Sequence, residues 1–432
     1  MFNFEHDITF YTVRAENRQF EEAIAFINEV LKLRFNGCIS PEKRLLKVQI
    51  AGTNGKGSTA AMLAEILKRA GYRTGLYVSP SLVCVNERVR INGEMISDAD
   101  LIKYIPVISK AQENTGRLFG GFERITAAAM LYYLDNDVDI AVMETGLGGR
   151  YDTVSAVGKL ILASITCIGM DHMKMLGNSI DKIAWEKSGI MRQGVPCVIH
   201  KPVESAVRDV IYSCAKELNA GVTETDECTV LSADVCEGGQ RMRASVRGEE
   251  YNIYIPLCGE YQRENAKNAL LCALKLRDMG YKITKDDIEK GFAATQWEGR
   301  LQKVSIDGIK SPVILDGGHN PHAMTAVADY ITSVMDKKFV ALISVMADKD
   351  IRHVLMQARR FVKKAVCVSV TARSCEPEKL AELANECGID AVYADSVDEG
   401  LLIADSLSDG ETFYAIGSLY LVGKVLEKIK GR

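Results

Sequence analysis

Leu45-Leu46-Lys47-Val48-Gln49-Ile50-Ala51-Gly52-Thr53-Asn54-Gly55-Lys56-Gly57-Ser58-Thr59 begins as a buried-strand pattern, turns through glycines and enters a helical pattern over residues 58–70, stopped by Gly71. A strand, a Gly-rich turn and a helix in that order form the context of a phosphate-binding loop. Glycines let backbone N–H groups converge on phosphate oxygens with no Cβ in the way. The helix N-terminus adds unpaired N–H groups and the positive end of its dipole. Lys56 supplies a point charge for the β- and γ-phosphates, and Ser58 or Thr59 a hydroxyl for a magnesium ion. The spacing departs from G-x-x-x-x-G-K-[ST], because Ile50 stands at the first glycine position and Gly57 separates Lys56 from Ser58. The stretch predicts a nucleotide site, with ATP as the expected ligand.

Around it, strand-like runs alternate with amphipathic helical segments, which predicts an α/β chain with mainly parallel sheets. Strands are expected at 74–78, 138–143, 160–168 and 195–200, with helices over 124–134, 179–187 and 203–219. The rhythm breaks over 228–257, where three strand-like runs separated by Gly-bearing turns predict an antiparallel meander. Helices return at 265–279 and 285–294, and a second α/β series follows Trp297-Glu298-Gly299-Arg300. Its strands are expected at 312–315, 339–345, 365–370, 391–393 and 412–416. Two domains are predicted, 1–298 carrying the phosphate loop and 299–432 forming the second.

In doubly wound sheets ligands collect at the carboxyl ends of strands. The run 138–143 delivers Glu144 to such an end, as a hard oxygen ligand for magnesium, followed by Thr145-Gly146-Leu147-Gly148-Gly149-Arg150. The run 160–168 delivers Gly169-Met170-Asp171-His172, whose imidazole can ligate a metal or serve structure. Lys187, near a helix C-terminus, would by position alone simply favour the dipole. In the second series, Asp316 ends a strand where it can meet a ribose or water, and Asn320-Pro321 reads as an N-cap with proline at the first helical position. Met346-Ala347-Asp348-Lys349-Asp350 carries charge to the same rim, so the pattern predicts a ligand held by both halves.

The 432 residues carry a formal net charge of -4, with 47% hydrophobic and 25% charged residues. This balance gives no reason to expect nucleic-acid or membrane partners. Twelve cysteines, Cys38, Cys84, Cys167 and Cys197 among them, are scattered with no Cys-x-x-Cys pair, as expected of thiols in a reducing cytosol. Met1-Phe2-Asn3-Phe4-Glu5-His6-Asp7 lacks the basic start and apolar run of a secretion signal, and no stretch is long enough to span a bilayer. A soluble, cytoplasmic protein is expected.

Taken together, Gly52-Thr53-Asn54-Gly55-Lys56-Gly57-Ser58-Thr59, Ser79-Pro80-Ser81-Leu82, Glu144-Thr145-Gly146-Leu147-Gly148-Gly149-Arg150-Tyr151-Asp152, Asp171-His172 and Glu186-Lys187-Ser188-Gly189-Ile190 resemble the folylpolyglutamate synthase/dihydrofolate synthase family, the folate branch of the Mur ligases. Gly299-Arg300-Leu301-Gln302, Asp316-Gly317-Gly318-His319-Asn320-Pro321-His322, Asp348-Lys349-Asp350 and Gly417-Ser418-Leu419-Tyr420 extend the resemblance to residues 40–425 in collinear order. It implies a P-loop-containing, Mur-ligase-like central domain and a smaller Rossmann-like C-terminal α/β domain. It also implies an ATP-dependent ligase that phosphorylates a folate carboxylate and joins it to L-glutamate, with dihydropteroate as a second acid substrate. Magnesium is the implied cofactor, potassium a further candidate cation, and a monomer the implied state.

Residue by residue, the resemblance assigns Ser79, Glu144 and His172 to magnesium, and Lys56, Lys187 and His172 to catalysis, Lys187 being carbamylated. It assigns Thr53, Asn54, Gly55, Lys56, Gly57, Ser58, Asn265, Arg300 and Asp316 to ATP, and Phe122, Glu123, Tyr151 and Asp152 to the folate side. The chain departs from the family at Ser81, where a histidine is usual, and at Tyr151-Asp152-Thr153-Val154-Ser155, where the family continues Leu-Asp-Ala-Thr-Asn. Those departures keep two alternatives open: a Mur-type ligase acting on another acid, and a nucleotide-binding switch without ligase activity.

Overall fold

The computed structural model describes residues 17–35, 45–236 and 238–431; Met1–Asp7 and Cys38 lie outside them. The chain forms two compact units, one of Met1–Cys236, Arg241–Pro256 and Arg263–Thr295, the other of Glu237–Gln240, Leu257–Gln262 and Gln296–Arg432.

The chain begins with α1 (Asn17–Arg34), β1 (Leu46–Ala51), α2 (Lys56–Arg69), β2 (Thr74–Tyr77), β3 (Val89–Ile91) and β4 (Glu94–Met95). There follow α3 (Asp98–Thr115), α4 (Gly121–Asp135), β5 (Ile140–Glu144), β6 (Lys159–Ile165), α5 (Met173–Leu176) and α6 (Ile180–Ser188). Next come β7 (Cys197–Ile199), α7 (Ser205–Glu217), β8 (Val222–Glu224), β9 (Cys228–Cys236), β10 (Gly239–Val246), β11 (Glu249–Ile255), α8 (Tyr261–Asp278) and α9 (Lys285–Ala294). The remaining elements are β12 (Gln302–Val304), β13 (Val313–Asp316), α10 (Pro321–Val334), β14 (Phe339–Ile343), α11 (Ile351–Ala358) and β15 (Val362–Cys367). The chain closes with α12 (Pro377–Glu386), β16 (Asp390–Tyr393), α13 (Val397–Ser408), β17 (Phe413–Ile416) and α14 (Leu419–Lys430).

In the first unit eight strands pair in the order β4-β3-β2-β5-β1-β6-β7-β8. The six from β2 to β8 are parallel, and the β3–β4 hairpin is added antiparallel at one edge. A strand covered on both faces is mostly apolar, which is why 140–144 reads as a near-continuous hydrophobic run, while 46–51 interrupts the pattern with the buried Lys47 and Gln49. Helices α1, α3 and α4 cover part of the sheet through Phe26, Val30, Tyr104, Ile108, Ile125 and Met130, all buried. Another core joins β6 and β7 to α6 and α7 through Ile165, Ala184, Ile199 and Ile211. Strands β9, β10 and β11 form a separate three-stranded sheet in sequence order, the meander expected from the Gly-bearing turns.

The second unit is a six-stranded sheet in the order β12-β13-β17-β14-β15-β16, parallel except for β12. Its core gathers Val327, Ile331, Leu355, Phe361, Leu380 and Ile416. Asn320 caps α10 by accepting from the Ala323 N–H at 2.8 Å, with Pro321 at the first helical position.

Two sequence boundaries moved for physical reasons. Helix α2 starts at Lys56 because Gly55, at φ 86°, completes the turn two residues earlier than the apolar pattern suggested. Strand β6 stops at Ile165, and beyond it Thr166, Cys167 and Gly169 turn to bond the phosphate loop at Asn54 and Thr53. Among the described residues no helix is long and apolar enough to cross a membrane, and the eleven described cysteines form no disulfide.

Helices α2 and α9 pack closely where Gly291 faces Ile66, since a Cβ at 291 would lie 2.6 Å from the Ile66 Cα. Gly291→Ala is expected to cost about 1–3 kcal/mol through overpacking, read as a lower Tm by differential scanning calorimetry. An unchanged Tm would mean that the helices can separate without loss.

Candidate functional site

Strand β1 lies between β5 and β6, with Ile50 opposite Glu144 and Ala51 opposite Ile165. Three strand ends therefore arrive together, and the loop after each reaches its neighbour. In the loop after β1, the Thr53 N–H donates to the Cys167 carbonyl at 2.8 Å. The Thr53 hydroxyl lies 3.0 Å from both the Gly169 carbonyl and the Gly169 N–H. The Thr166 hydroxyl donates to the Asn54 carbonyl at 2.7 Å, and Lys187 Nζ to the Gly52 carbonyl at 2.8 Å. The loop is thus bonded along its length to the strand ends beside it.

Two glycines permit that fit. Gly52 has φ 150°, and a Cβ there would fall 1.8 Å from the Thr166 hydroxyl. Gly55 has φ 86°, and its Cβ would fall 2.2 Å from Asn265 Oδ1, so the loop touches α8. Any side chain at either position would both strain the backbone and collide.

Lys56 Nζ lies 3.2 Å from the Thr53 carbonyl and 3.8 Å from Glu144 Oε1. Glu144 is buried, and its Oε2 accepts from the Ser79 N–H at 3.1 Å. Ser79, Glu144 and Lys56 are therefore neighbours. His172 holds a positive φ of 50° at the start of α5, where its N–H donates to Asp171 Oδ1 at 2.8 Å. Among the described residues no group of three or more His, Cys, Asp or Glu side chains comes together to hold a metal. The Thr59 hydroxyl in the first turn of α2 is buried with no hydrogen-bond partner among the described residues, a polar atom left over beside the loop.

Lys187 is buried at the end of α6. Burial, with Lys56 adding like-charge repulsion, lowers its amine to about 7, against weaker support for the charge from Asp171, Cys167 and Glu186. An exposed lysine soothing the helix dipole is excluded.

The residues expected on the folate side surround the loop after β5. A Cβ on Gly146 would meet the Phe122 ring at 2.5 Å. Asp152 is buried and accepts from the N–H groups of Gly146, Leu147 and Val154 at 3.0, 2.9 and 2.9 Å. Burial, with the nearby charge of Glu123, pushes its carboxyl up to about 6 against those three bonds. Burial also raises Glu123. Tyr151 stands edge-on to Trp185 at 6.4 Å, and the Arg150 guanidinium lies over the Trp185 ring at 3.7 Å.

In the second unit, Asp316 is buried and clasps its surroundings, accepting from Leu301 N–H at 3.0 Å, Gly318 N–H at 2.7 Å and the Tyr261 hydroxyl at 3.3 Å. Burial raises its carboxyl, while Arg300 opposes that shift. Arg300 stands beside it, with Nη1 2.6 Å from where a Gly317 Cβ would be.

Sequence reasoning missed the supports beneath the loop after β5. Gln49 Nε2 donates to the Ser155 hydroxyl at 2.8 Å, and that hydroxyl donates to the Gly149 carbonyl at 2.7 Å. Lys47 is buried and donates to the Val154 carbonyl, its amine held far below the ordinary lysine range by burial and by Arg192. The available signal was two polar residues, at alternate positions 47 and 49, in an otherwise apolar central strand. Trp185 was likewise passed over beside Glu186-Lys187.

The family described as Mur ligase middle domain matches residues 50–274, and that described as Mur ligase, glutamate ligase domain matches residues 299–419. The chain is a Mur ligase. It is 33% identical over 397 residues to the dihydrofolate synthase/folylpolyglutamate synthase of Mycobacterium tuberculosis, covering 86% of this chain and 80% of that protein. It is 29% identical over 399 residues to the protein of the same name from Bacillus subtilis, covering 90% and 92%. The crystal structure of Mycobacterium tuberculosis folylpolyglutamate synthase complexed with ADP and AMPPCP superposes with a TM-score of 0.86 at 28% identity, covering 100% of this chain and 99% of that one. Within the Mur ligases, the chain belongs to the folylpolyglutamate synthase/dihydrofolate synthase family.

Gln49→Ala and Ser155→Ala are each expected to cost about 1 kcal/mol in stability and to speed amide hydrogen exchange in peptides covering 146–156. Ser155→Thr, which keeps the hydroxyl, should restore most of the protection. Exchange that stays slow in both alanine variants would remove Gln49 as a support of this loop.

Proposed function

We propose that this chain is an ATP-dependent ligase that joins L-glutamate to the carboxylate of a folate, as a tetrahydrofolylpolyglutamate synthase, and that dihydropteroate is a second acid substrate. The observation that carries the reading is the meeting of a glycine loop, Lys56, Glu144 with Ser79, and the buried Lys187 at the ends of adjacent parallel strands. In the first step a carboxylate oxygen of the acid attacks the γ-phosphorus and ADP leaves, giving an acyl phosphate. In the second the amine of glutamate attacks the acyl carbon, and phosphate leaves as the amide forms.

Phosphoryl transfer asks a protein mainly for position and compensating charge. Thr53 to Ser58 would cradle the phosphates with backbone N–H groups, and Lys56 would meet charge developing on the transferred group. Ser79, Glu144 and His172 are the proposed magnesium ligands, and magnesium would supply further neutralisation there. Asn265, Arg300 and Asp316 are proposed nucleotide contacts; Phe122, Glu123, Tyr151 and Asp152 are proposed for the acid. The chain is proposed to act as a cytoplasmic monomer, with its small-molecule substrates as its partners.

Lys187 is proposed to carry a carbamate, formed when its neutral amine attacks carbon dioxide and releases a proton. An amine lowered to about 7 is largely neutral above that pH, which meets the requirement of the reaction. The modification would place an anion beside Lys56, where the protonated amine would be repelled.

The deciding assay supplies ATP, magnesium, glutamate and either tetrahydrofolate or dihydropteroate, and follows phosphate release with product mass. Product one glutamate heavier is expected from each acid, and the absence of product from both would sink the reading. Lys56→Ala should lower kcat at least about a hundredfold; a rise confined to the KM for glutamate would refute its phosphate role. With 13C-bicarbonate, wild type should show a carbamate carbon resonance that strengthens as pH rises through about 7 and is missing from Lys187→Ala. The same signal in both proteins would dismiss Lys187 as its carrier.

A further inference from the structure

The loop after β5 is pinned from one side by Gln49, Ser155 and Asp152, and on its outer face it carries Arg150 and Tyr151 against the end of α6. The Arg150 N–H donates to the Glu186 carbonyl at 2.8 Å, and Arg150 Nη2 to the Trp185 carbonyl at 3.1 Å. Two glycines let the segments come that close. A Cβ on Gly189 would fall 2.2 Å from the Arg150 Cβ, and one on Gly149 would fall 2.9 Å from the Glu186 carbonyl oxygen. The contact ends in a stack, with the Arg150 guanidinium 3.7 Å from the centre of the Trp185 ring.

Tyr151 extends the stack into a row. Its ring meets Trp185 edge-on at 6.4 Å and 62°, and Phe20 of α1 in the same manner at 6.2 Å and 63°. Edge-to-face contact is an arrangement that aromatic pairs favour, so each ring fixes the next. Trp185 nevertheless stays 41% exposed. Beside it, Arg150 Nε and Glu186 Oε2 are buried without a hydrogen-bond partner among the described residues. An indole is thus held rigid and open while two polar atoms next to it go unsatisfied. A rigid aromatic gives up little conformational freedom on binding, which makes it a ready stacking surface for a flat ring.

Of the reactants proposed above, glutamate has no ring, and Asn265, Arg300 and Asp316 are the proposed contacts of the nucleotide. The acid remains, and Tyr151 adjoins Asp152 on the loop proposed to meet it. We propose that Trp185, backed by Arg150 and aligned by Tyr151, is a specificity-determining residue that stacks on a flat ring of the acid substrate. A folate offers two such rings, the pteridine and the aminobenzoyl group, and both present the same π-face to an indole. The inference rests on the folate reading, although ring binding is measurable without turnover. Stacking acts equally before and during phosphoryl transfer, so its loss belongs in the KM for the acid and not in kcat.

The chain has two tryptophans, so Trp297→Phe leaves Trp185 as the single indole reporter. Its fluorescence, corrected for ligand absorbance, is titrated at saturating ADP with dihydropteroate, p-aminobenzoylglutamate and pterin-6-carboxylate, and separately with ATP. Dihydropteroate should quench it saturably, and the fragment that reproduces the quench identifies the stacked ring. Trp185→Ala, shown to be folded by circular dichroism, should raise the KM for the acid about tenfold and leave kcat and the KM values for ATP and glutamate unchanged. Trp185→Phe, which keeps a ring, should recover most of that loss. No quenching by dihydropteroate, quenching by ATP alone, or an unchanged KM for the acid in Trp185→Ala overturns the proposal. Failure of the wild type to make product from either acid would instead strike the ligase reading, while the dihydropteroate titration still judges the ring site.

Discussion

The candidate site depends on how β1 is registered between β5 and β6. Because Ile50 faces Glu144 and Ala51 faces Ile165, three strand ends finish within a residue or two of one another. Their loops can then satisfy each other's backbone groups. The phosphate loop needs that support, since a turn rich in glycine loses more conformational freedom on ordering than any other. Bonds from Thr53 to Cys167 and Gly169, from Thr166 to Asn54 and from Lys187 to Gly52 hold it without consuming the N–H groups at the start of α2. A slip of one residue in β1 would reverse the faces of Lys47 and Gln49 and detach the neighbouring loop as well.

Charge is the second constraint. Lys56 and Lys187 are close enough to repel each other, and Glu144 lies 3.8 Å from one of them. Such a grouping costs free energy in the folded state unless something neutralises it. For Lys187 the sign is clear: an amine lowered to about 7 opposes folding at pH values below its ordinary range, most strongly below about 7. The Lys56 ammonium, held in a rigid and partly dry site, is what a phosphate group would meet to advantage. The strain sits where an anion would relieve it.

The sequence disclosed the strand-loop-helix at 46–69, the acid at the end of β5 and the second α/β series because each is written in local pattern: an apolar run, a glycine turn, a cap. It disclosed less where structure is decided at a distance. Helix α3 carries Pro106 in its interior and drew no prediction, although Ser97 caps it and Gly116 ends it at φ 69°. There, packing against α1 and α4 overrides a local breaker. The β3–β4 hairpin is too short for a periodic signal. Gln49 and Lys47 were hidden for another reason. Their partners, Ser155 and Val154, lie more than a hundred positions away, and no spacing rule links them.

Asp152 and Glu144 show how one kind of side chain divides between structure and chemistry. Both are buried carboxylates on the two sides of a glycine loop. Asp152 spends its oxygens on three backbone N–H groups, which fixes the path of residues 146–154 and caps the short helical turn that follows. Glu144 receives the Ser79 N–H on Oε2, and its Oε1 faces the Lys56 ammonium. The departure at Ser155 therefore falls on a residue whose visible work is to hold the loop from below, and Thr153 is buried beside it. Ser155 keeps a hydroxyl that both accepts from Gln49 and donates to Gly149, so the loop is pinned although the family's asparagine is absent. Tyr151, packed against Trp185 beside the stacked Arg150, is the departure that changes the loop's outer face. Any difference in which acid this chain prefers is more economically sought at Tyr151 than at Thr153 or Ser155.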